Sequence, residues 1–166
     1  MWEICDMENG DSRVAEVKQI IESQRVNVNL PSEEDETKRN ALLKAAFKGN
    51  GEIVKILLRN GGDLNSKIKD GFNALHFAAA KGKNETIEFL LAKGMDLNSK
   101  NNYGWNALHF AALNGQNETI ELLLGKGMDK KVKNNLGETA LDCASLMGHT
   151  AARRLLENKN CQINEL

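Results

Sequence analysis

The chain alternates between short apolar bursts and polar stretches punctuated by glycine. Asn73 to Ala80 reads Asn-Ala-Leu-His-Phe-Ala-Ala-Ala. That predicts a brief alanine-rich helix with Asn73 as N-cap and Gly82 as the glycine that ends it. Asn84 to Gly94 predicts a second helix. Asn84 is placed to cap it, Glu85 suits its positive end, and Ile87, Leu90 and Leu91 fall on one face at helical spacing. Gly94 stops it, and the Asn- and Gly-rich stretch from Met95 to Trp105 predicts a turn or short hairpin.

The pattern then repeats. Gly71, Gly104 and Gly137 step by 33 residues, as do Gly82, Gly115 and Gly148, and Gly61, Gly94 and Gly127. Residues 70–102 and 103–135 agree at 23 of 33 positions. Self-similarity at such a period is the signature of a stacked repeat architecture. Two helices of under three turns each cannot bury enough apolar surface to stand alone, so each unit must cover the open face of the next.

The unit resembles the ankyrin repeat, whose hallmarks are Thr-Pro-Leu-His in the first helix and Gly-Ala-Asp-Val-Asn after the second. The first motif stands here as Asn73-Ala74-Leu75-His76 and Asn106-Ala107-Leu108-His109. The second stands as Gly61-Gly62-Asp63-Leu64-Asn65 and Gly94-Met95-Asp96-Leu97-Asn98. The usual proline is alanine at Ala41, Ala74, Ala107 and Ala140, which removes a residue that pre-sets the first turn. The resemblance covers nearly the whole chain and implies an all-α solenoid of helix-turn-helix units joined by short β-hairpins or turns.

Projected outward, this register predicts one domain, 1–166, of about five units. Residues 1–35 make an N-terminal capping unit that keeps Gly10, Val17, Ile20, Ile21 and Val28 in a loose copy. Residues 36–69, 70–102 and 103–135 are repeats, and 136–166 is a C-terminal capping repeat. In the last unit Arg153 replaces Ile87 and Ile120, and Glu157 replaces Leu91 and Leu124, as a sealed outer face requires. The link from the first unit is longer and runs through Pro31 and the acidic stretch Ser32 to Glu36. Met1 and two sealed ends favour a self-contained unit. The alternative is the ankyrin targeting portion of a larger enzyme, channel or regulator.

Composition narrows the function. A net charge of -1 excludes a global field that recruits nucleic acid or anionic lipid. The distribution is uneven: residues 1–36 hold ten acids against three bases, and the remainder nineteen bases against thirteen acids. Cys5, Cys143 and Cys161 show no metal or redox spacing, which predicts a reducing compartment, the cytoplasm or the nucleus. The first ten residues lack a signal-peptide pattern, and no apolar run approaches a membrane span.

Catalytic motifs are missing. No glycine stands five residues before Gly82-Lys83 or Gly125-Lys126, as a phosphate loop needs. There is no nucleophile elbow and no paired-cysteine zinc spacing. Cys143 falls on the buried face of its helix, as a small core residue. His76 and His109 sit about 10 Å apart across one repeat step, too far for a single metal with ligands at about 2 Å. The resemblance gives these histidines a hydrogen bond to backbone between repeats. Asn84-Glu85-Thr86 and Asn117-Glu118-Thr119 match a glycosylation acceptor, and are read as helix caps instead. The sequence therefore predicts no enzyme, no cofactor and no metal.

What remains is recognition. The resemblance places partner binding on the concave side, at the hairpin tips and the exposed face of each first helix. In this chain those positions are Arg39, Lys69, Asp70, Phe72, Tyr103, Trp105 and Leu136 at the tips, and Phe47, Lys81, Leu113, Asn114 and Met147 on the helices. Phe72, Tyr103 and Trp105 are read either as rings that stand out from the surface, as interface hot spots do, or as rings that pack on the neighbouring hairpin and serve stability. The lysines beside the hairpins, Lys67, Lys69, Lys100 and Lys133, form a basic rim. A monomer that binds a protein partner with an acidic rim and an apolar anchor is the function expected, as adaptor, scaffold or inhibitor.

Overall fold

The computed structural model describes residues 11–24, 27–30 and 40–158. Arg39, the acidic stretch 32–36, Pro31, Cys5 and Cys161 lie outside the described residues. Among the described residues the architecture is all-helical, a solenoid of paired helices. The elements are α1 (Asp11–Gln24), α2 (Ala41–Lys48), α3 (Gly51–Arg59), α4 (Ala74–Ala80), α5 (Asn84–Ala92), α6 (Ala107–Leu113), α7 (Asn117–Gly125), α8 (Ala140–Leu146) and α9 (Thr150–Glu157).

These helices stack in two rows. First helices α2, α4, α6 and α8 pack each on the next, and so do second helices α1, α3, α5, α7 and α9. The first row is lined by alanines that allow close approach: Ala74, Ala78, Ala79, Ala107, Ala111, Ala112 and Ala144 are fully buried. Leu75, Ile87, Leu90, Leu108, Ile120 and Leu123 fill the space between rows. Each such leucine or isoleucine contributes roughly 1.5–3 kcal/mol through burial, which helices this short require from tertiary packing.

Asn40, Asn73, Asn106 and Thr139 each start a first helix by accepting the backbone N–H three residues on. The second helices differ from expectation. Lys83 and Gln116 are the caps of α5 and α7, with no side-chain cap bond, and Asn84 and Asn117 are already helical. Asn84 instead accepts a bond from the Thr119 hydroxyl of the next unit at 2.7 Å. Its carboxamide joins repeats rather than starting a helix. Thr86 and Thr119 are buried, which is a structural use of both acceptor-like triplets.

The loops between first and second helices hold Gly82 and Gly115 at φ 68° and 64°, a region glycine enters freely. Packing adds a second reason. A Cβ on Gly115 would meet the His149 ring at 2.8 Å, and one on Gly82 would run into Gln116. Both of those residues belong to the following unit. Gln116 donates to the Ala80 carbonyl at 3.3 Å and His149 bonds the Leu113 carbonyl at 3.1 Å, each tying a helix end to its neighbour.

At the first-unit end, Asn29 bonds both the Gly61 carbonyl and the Asp63 N–H, and Ile21 and Val28 are buried. At the other end, Arg153 and Glu157 pair at 2.7 Å on the exposed side of α9. Lys130 donates to the carbonyls of Leu156 and Asn158 at 2.9 and 2.7 Å, closing the end of that helix.

Candidate functional site

Between units the chain makes a finger, a tight turn that projects beside the first-helix row. Three fingers close on two backbone bonds each, Ile68 to Phe72 with Gly71 to Ile68, Asn101 to Trp105 with Gly104 to Asn101, and Asn134 to Glu138 with Gly137 to Asn134, at 2.8–3.0 Å. They are hairpin-shaped turns, and no strand forms among the described residues. Asn102 donates to the Lys69 carbonyl and Asn135 to the Asn102 carbonyl, both at 3.0 Å. Backbone bonds Asn102 to Asp70 and Asn135 to Tyr103 run alongside. The fingers are thus laced into one continuous edge.

His76 and His109 brace this edge from beneath. The Nδ1 of each faces the backbone N–H of its own N-cap, Asn73 or Asn106, at 3.2 and 3.3 Å. The Nε2 then reaches a carbonyl of the following finger segment, Ser99 at 3.0 Å and Glu138 at 3.2 Å. For His76 an N–H at Nε2 and a bare Nδ1 satisfy both contacts, whereas the His109 Nδ1 also stands 2.6 Å from the Asn106 Oδ1, a contact that suits an N–H at Nδ1. Burial pushes the His76 pKa down to about 4, with the neighbouring Lys67 charge adding to it against the Ser99 carbonyl. His109 is lowered for the same first reason. Neutral imidazoles in this setting are struts, not bases. Cys143 is equally inert: burial raises its thiol to about 11, so it holds no thiolate at neutral pH. Among the described residues no three metal-ligating side chains converge, and no helix is long and apolar enough to cross a membrane.

The aromatic positions divide between the two readings. Only Tyr103 stands out, 52% exposed. Phe72 and Trp105 are half-buried, because each lies on rings of the helix row. Phe72 stacks on Phe77 at 5.8 Å and meets Phe110 of the next unit at 5.2 Å. Trp105 rests on Phe110 at 5.4 Å and on His109 at 5.7 Å. Phe47 joins through Phe77 at 5.8 Å, and the Lys81 ammonium sits 4.7 Å over the Phe47 ring. A train of rings therefore runs from the end of α2 to the second finger. Phe77 and Phe110 are members that the sequence reading did not select. Their signal was present: each follows a finger ring by five residues, Phe72 to Phe77 and Trp105 to Phe110.

The same surface changes character along its length. Lys69, Asp70 and Lys81 are exposed. In the corresponding positions further on stand Asn102 and Asn135 for Lys69, Tyr103 and Leu136 for Asp70, and Asn114 and Met147 for Lys81. Among the described residues five large apolar side chains are strongly exposed, and four of them, Tyr103, Leu136, Leu146 and Met147, lie on this surface in its later half. Leu113 is half-buried, and Asn114 turns its amide back to the Phe110 carbonyl at 2.8 Å.

The stacked helix pairs, the finger edge and the histidine struts agree with one family. The model for ankyrin repeats (three copies) matches residues 7–101 and again residues 94–166. The chain belongs to the ankyrin-repeat family. No curated protein matches it in sequence. Ankyrin repeats are in general protein-interaction modules, so the finger and first-helix surface is the candidate site.

Proposed function

We propose that this ankyrin array is a non-catalytic binding module that grips a protein partner on its concave side, through the fingers and first helices, and acts as adaptor, scaffold or inhibitor. The exposed apolar group Tyr103, Leu136, Leu146 and Met147 carries this reading. Apolar side chains gathered on one surface mark interaction sites, and these occur where the repeat geometry leaves positions unconstrained by stacking. They supply the seat for the partner's apolar anchor. The lysines of the first half, Lys69 and Lys81 among them, face an acidic rim on that partner. A free, buried Cys143 fits a reducing compartment, cytoplasm or nucleus.

The test is recovery of a partner with the wild-type chain and with a Leu136→Asp, Leu146→Asp double variant, followed by calorimetry on purified components. Both leucines are more than three-quarters exposed, at 78% and 77%, so the fold is expected to be kept. Binding is expected to weaken by about 2 kcal/mol or more. A partner held equally well by the double variant removes the apolar group from the site and overturns the reading.

A further inference from the structure

Lys67, Lys100 and Lys133 follow one another at steps of 33 residues, each just ahead of a finger. All three are exposed. Lys100 donates to the Lys133 carbonyl at 3.3 Å, so these two neighbours in the row lie side by side across one repeat step. Lys67 adds its charge beside His76, Lys100 beside His109 and Lys133 beside Asp142, which are matching positions of consecutive first helices. None of the three forms an ion pair among the described residues.

Such a row is a ruler. Packed helices stand about 8–10 Å apart, and the row advances by one first helix per lysine. A polyproline-II chain rises about 3.1 Å per residue with three residues per turn. Its every third side chain therefore projects from one side at a spacing of about 9 Å. A β-strand does not match, since residues three apart point to opposite faces. The fingers that follow these lysines along the chain carry Phe72, Tyr103 and Trp105, and aromatic surfaces are where proline-rich segments dock.

Resting on the reading that this surface binds a protein, we infer that the partner element is an extended, proline-containing acidic segment with a carboxylate at every third residue, laid across the fingers so that its carboxylates meet Lys67, Lys100 and Lys133 in turn. Charge supplies the steering and the alignment, and the apolar group beyond Leu136 seats whatever follows the acidic segment. Lys133 is the weakest of the three contacts, because Asp142 already shares its field.

Fluorescein-labelled Glu-Pro-Pro-Glu-Pro-Pro-Glu-Pro-Pro, and an isomer with its three glutamates in one block, test this by anisotropy at low salt. The spaced peptide is expected to bind the full chain about tenfold tighter than the blocked one. Lys67→Glu and Lys100→Glu are each expected to weaken it about tenfold, and Lys133→Glu less. A triple lysine-to-glutamate variant should recover binding to a peptide with lysine in place of each glutamate. Circular dichroism confirms that these surface variants stay folded. Equal binding of the two isomers, unchanged affinity in the lysine variants, or equal binding of a single-stranded RNA of the same charge would each overturn the inference. So would equal binding of a helical peptide with glutamates seven residues apart, which also spaces them by about 10.5 Å. If the spaced peptide fails while the Leu136→Asp, Leu146→Asp variant still loses its partner, only the inference falls. If that variant keeps its partner, the proposed function falls with it.

Discussion

Residues 70–102 and 103–135 are near-twins in sequence, and the structure treats them differently. Asn84 of the first twin has its carbonyl oxygen bonded to Thr119 at 2.7 Å. Asn117, the same residue one unit on, buries the same oxygen with no donor among the described residues. The reason lies in the neighbour: where Asn84 faces Thr119, Asn117 faces the unit that carries Ala152. At the fingers the asymmetry is reversed. Asn134 donates to the Glu138 carboxylate at 2.8 Å, whereas the buried Asn101 amide has no acceptor, since Trp105 stands in the place of Glu138. A repeat's sequence sets its shape, and the units on either side decide which of its polar groups are satisfied.

The largest effects should fall where the twins are alike. Leu90 and Leu123 are both fully buried in the seam between helix rows. Leu90→Ala and Leu123→Ala should each lower the unfolding free energy by roughly 2–5 kcal/mol, measured by urea titration. Tolerance of one and not the other would show that the seam is not a repeating unit of stability.

Acid should separate the twins. Folded His76 stays neutral down to about pH 4, while in the unfolded chain it protonates near its ordinary value of about 6.5. Below pH 6.5 the unfolded state therefore binds a proton that the folded state refuses. Stability is full above that pH and is lost as pH falls through the window down to about 4. Between pH 7 and pH 5 this amounts to about 2 kcal/mol. In His76→Leu, which copies Leu43 at the matching position of the preceding unit, that share of the pH dependence should vanish. The companion His109→Leu should remove less, since the nearby Glu138 carboxylate favours the charged imidazole there. An unchanged pH profile in His76→Leu would show that the histidine strut is not what acid attacks.

The finger rings give the next contrast. Trp105→Ala should cost about 1–2 kcal/mol of stability by removing ring contacts with Phe110 and His109. Tyr103→Ala, two residues away and exposed, should stay within about 0.5 kcal/mol. Equal losses at the two positions would mean that the difference in burial has no energetic weight.

Much of this was legible in the sequence. The helix pairs, the Asn73 cap and the buried Cys143 follow from spacing and local chemistry, because they depend on residues close along the chain. The histidine bonds to backbone between units were implied by the family resemblance. What escaped depends on residues a full unit apart. Asn84 looked like a cap because its partner, Thr119, lies 35 residues away. His149 had no partner nearby in sequence and finds the Leu113 carbonyl. Trp105 is the exception: Phe110, on which it rests, lies only five residues on, and that spacing was the local signal of its packing.

The smallest predicted effect tests the comparison most directly. If Asn117 is unsatisfied only because its neighbour carries Ala152, then Ala152→Thr should supply the missing donor. A hydrogen bond to a buried amide contributes about 0.5–1.5 kcal/mol. Threonine is a poorer helix former than alanine by up to about 0.7 kcal/mol, so the net gain should be small. A double-mutant cycle with Asn117→Ala removes the propensity term, which is common to both backgrounds. The coupling between positions 117 and 152 should then favour the Asn-Thr pair by about 1 kcal/mol. That outcome would give the second twin the bond the first already has. A coupling near zero would mean that the two units differ in more than the residue across the seam.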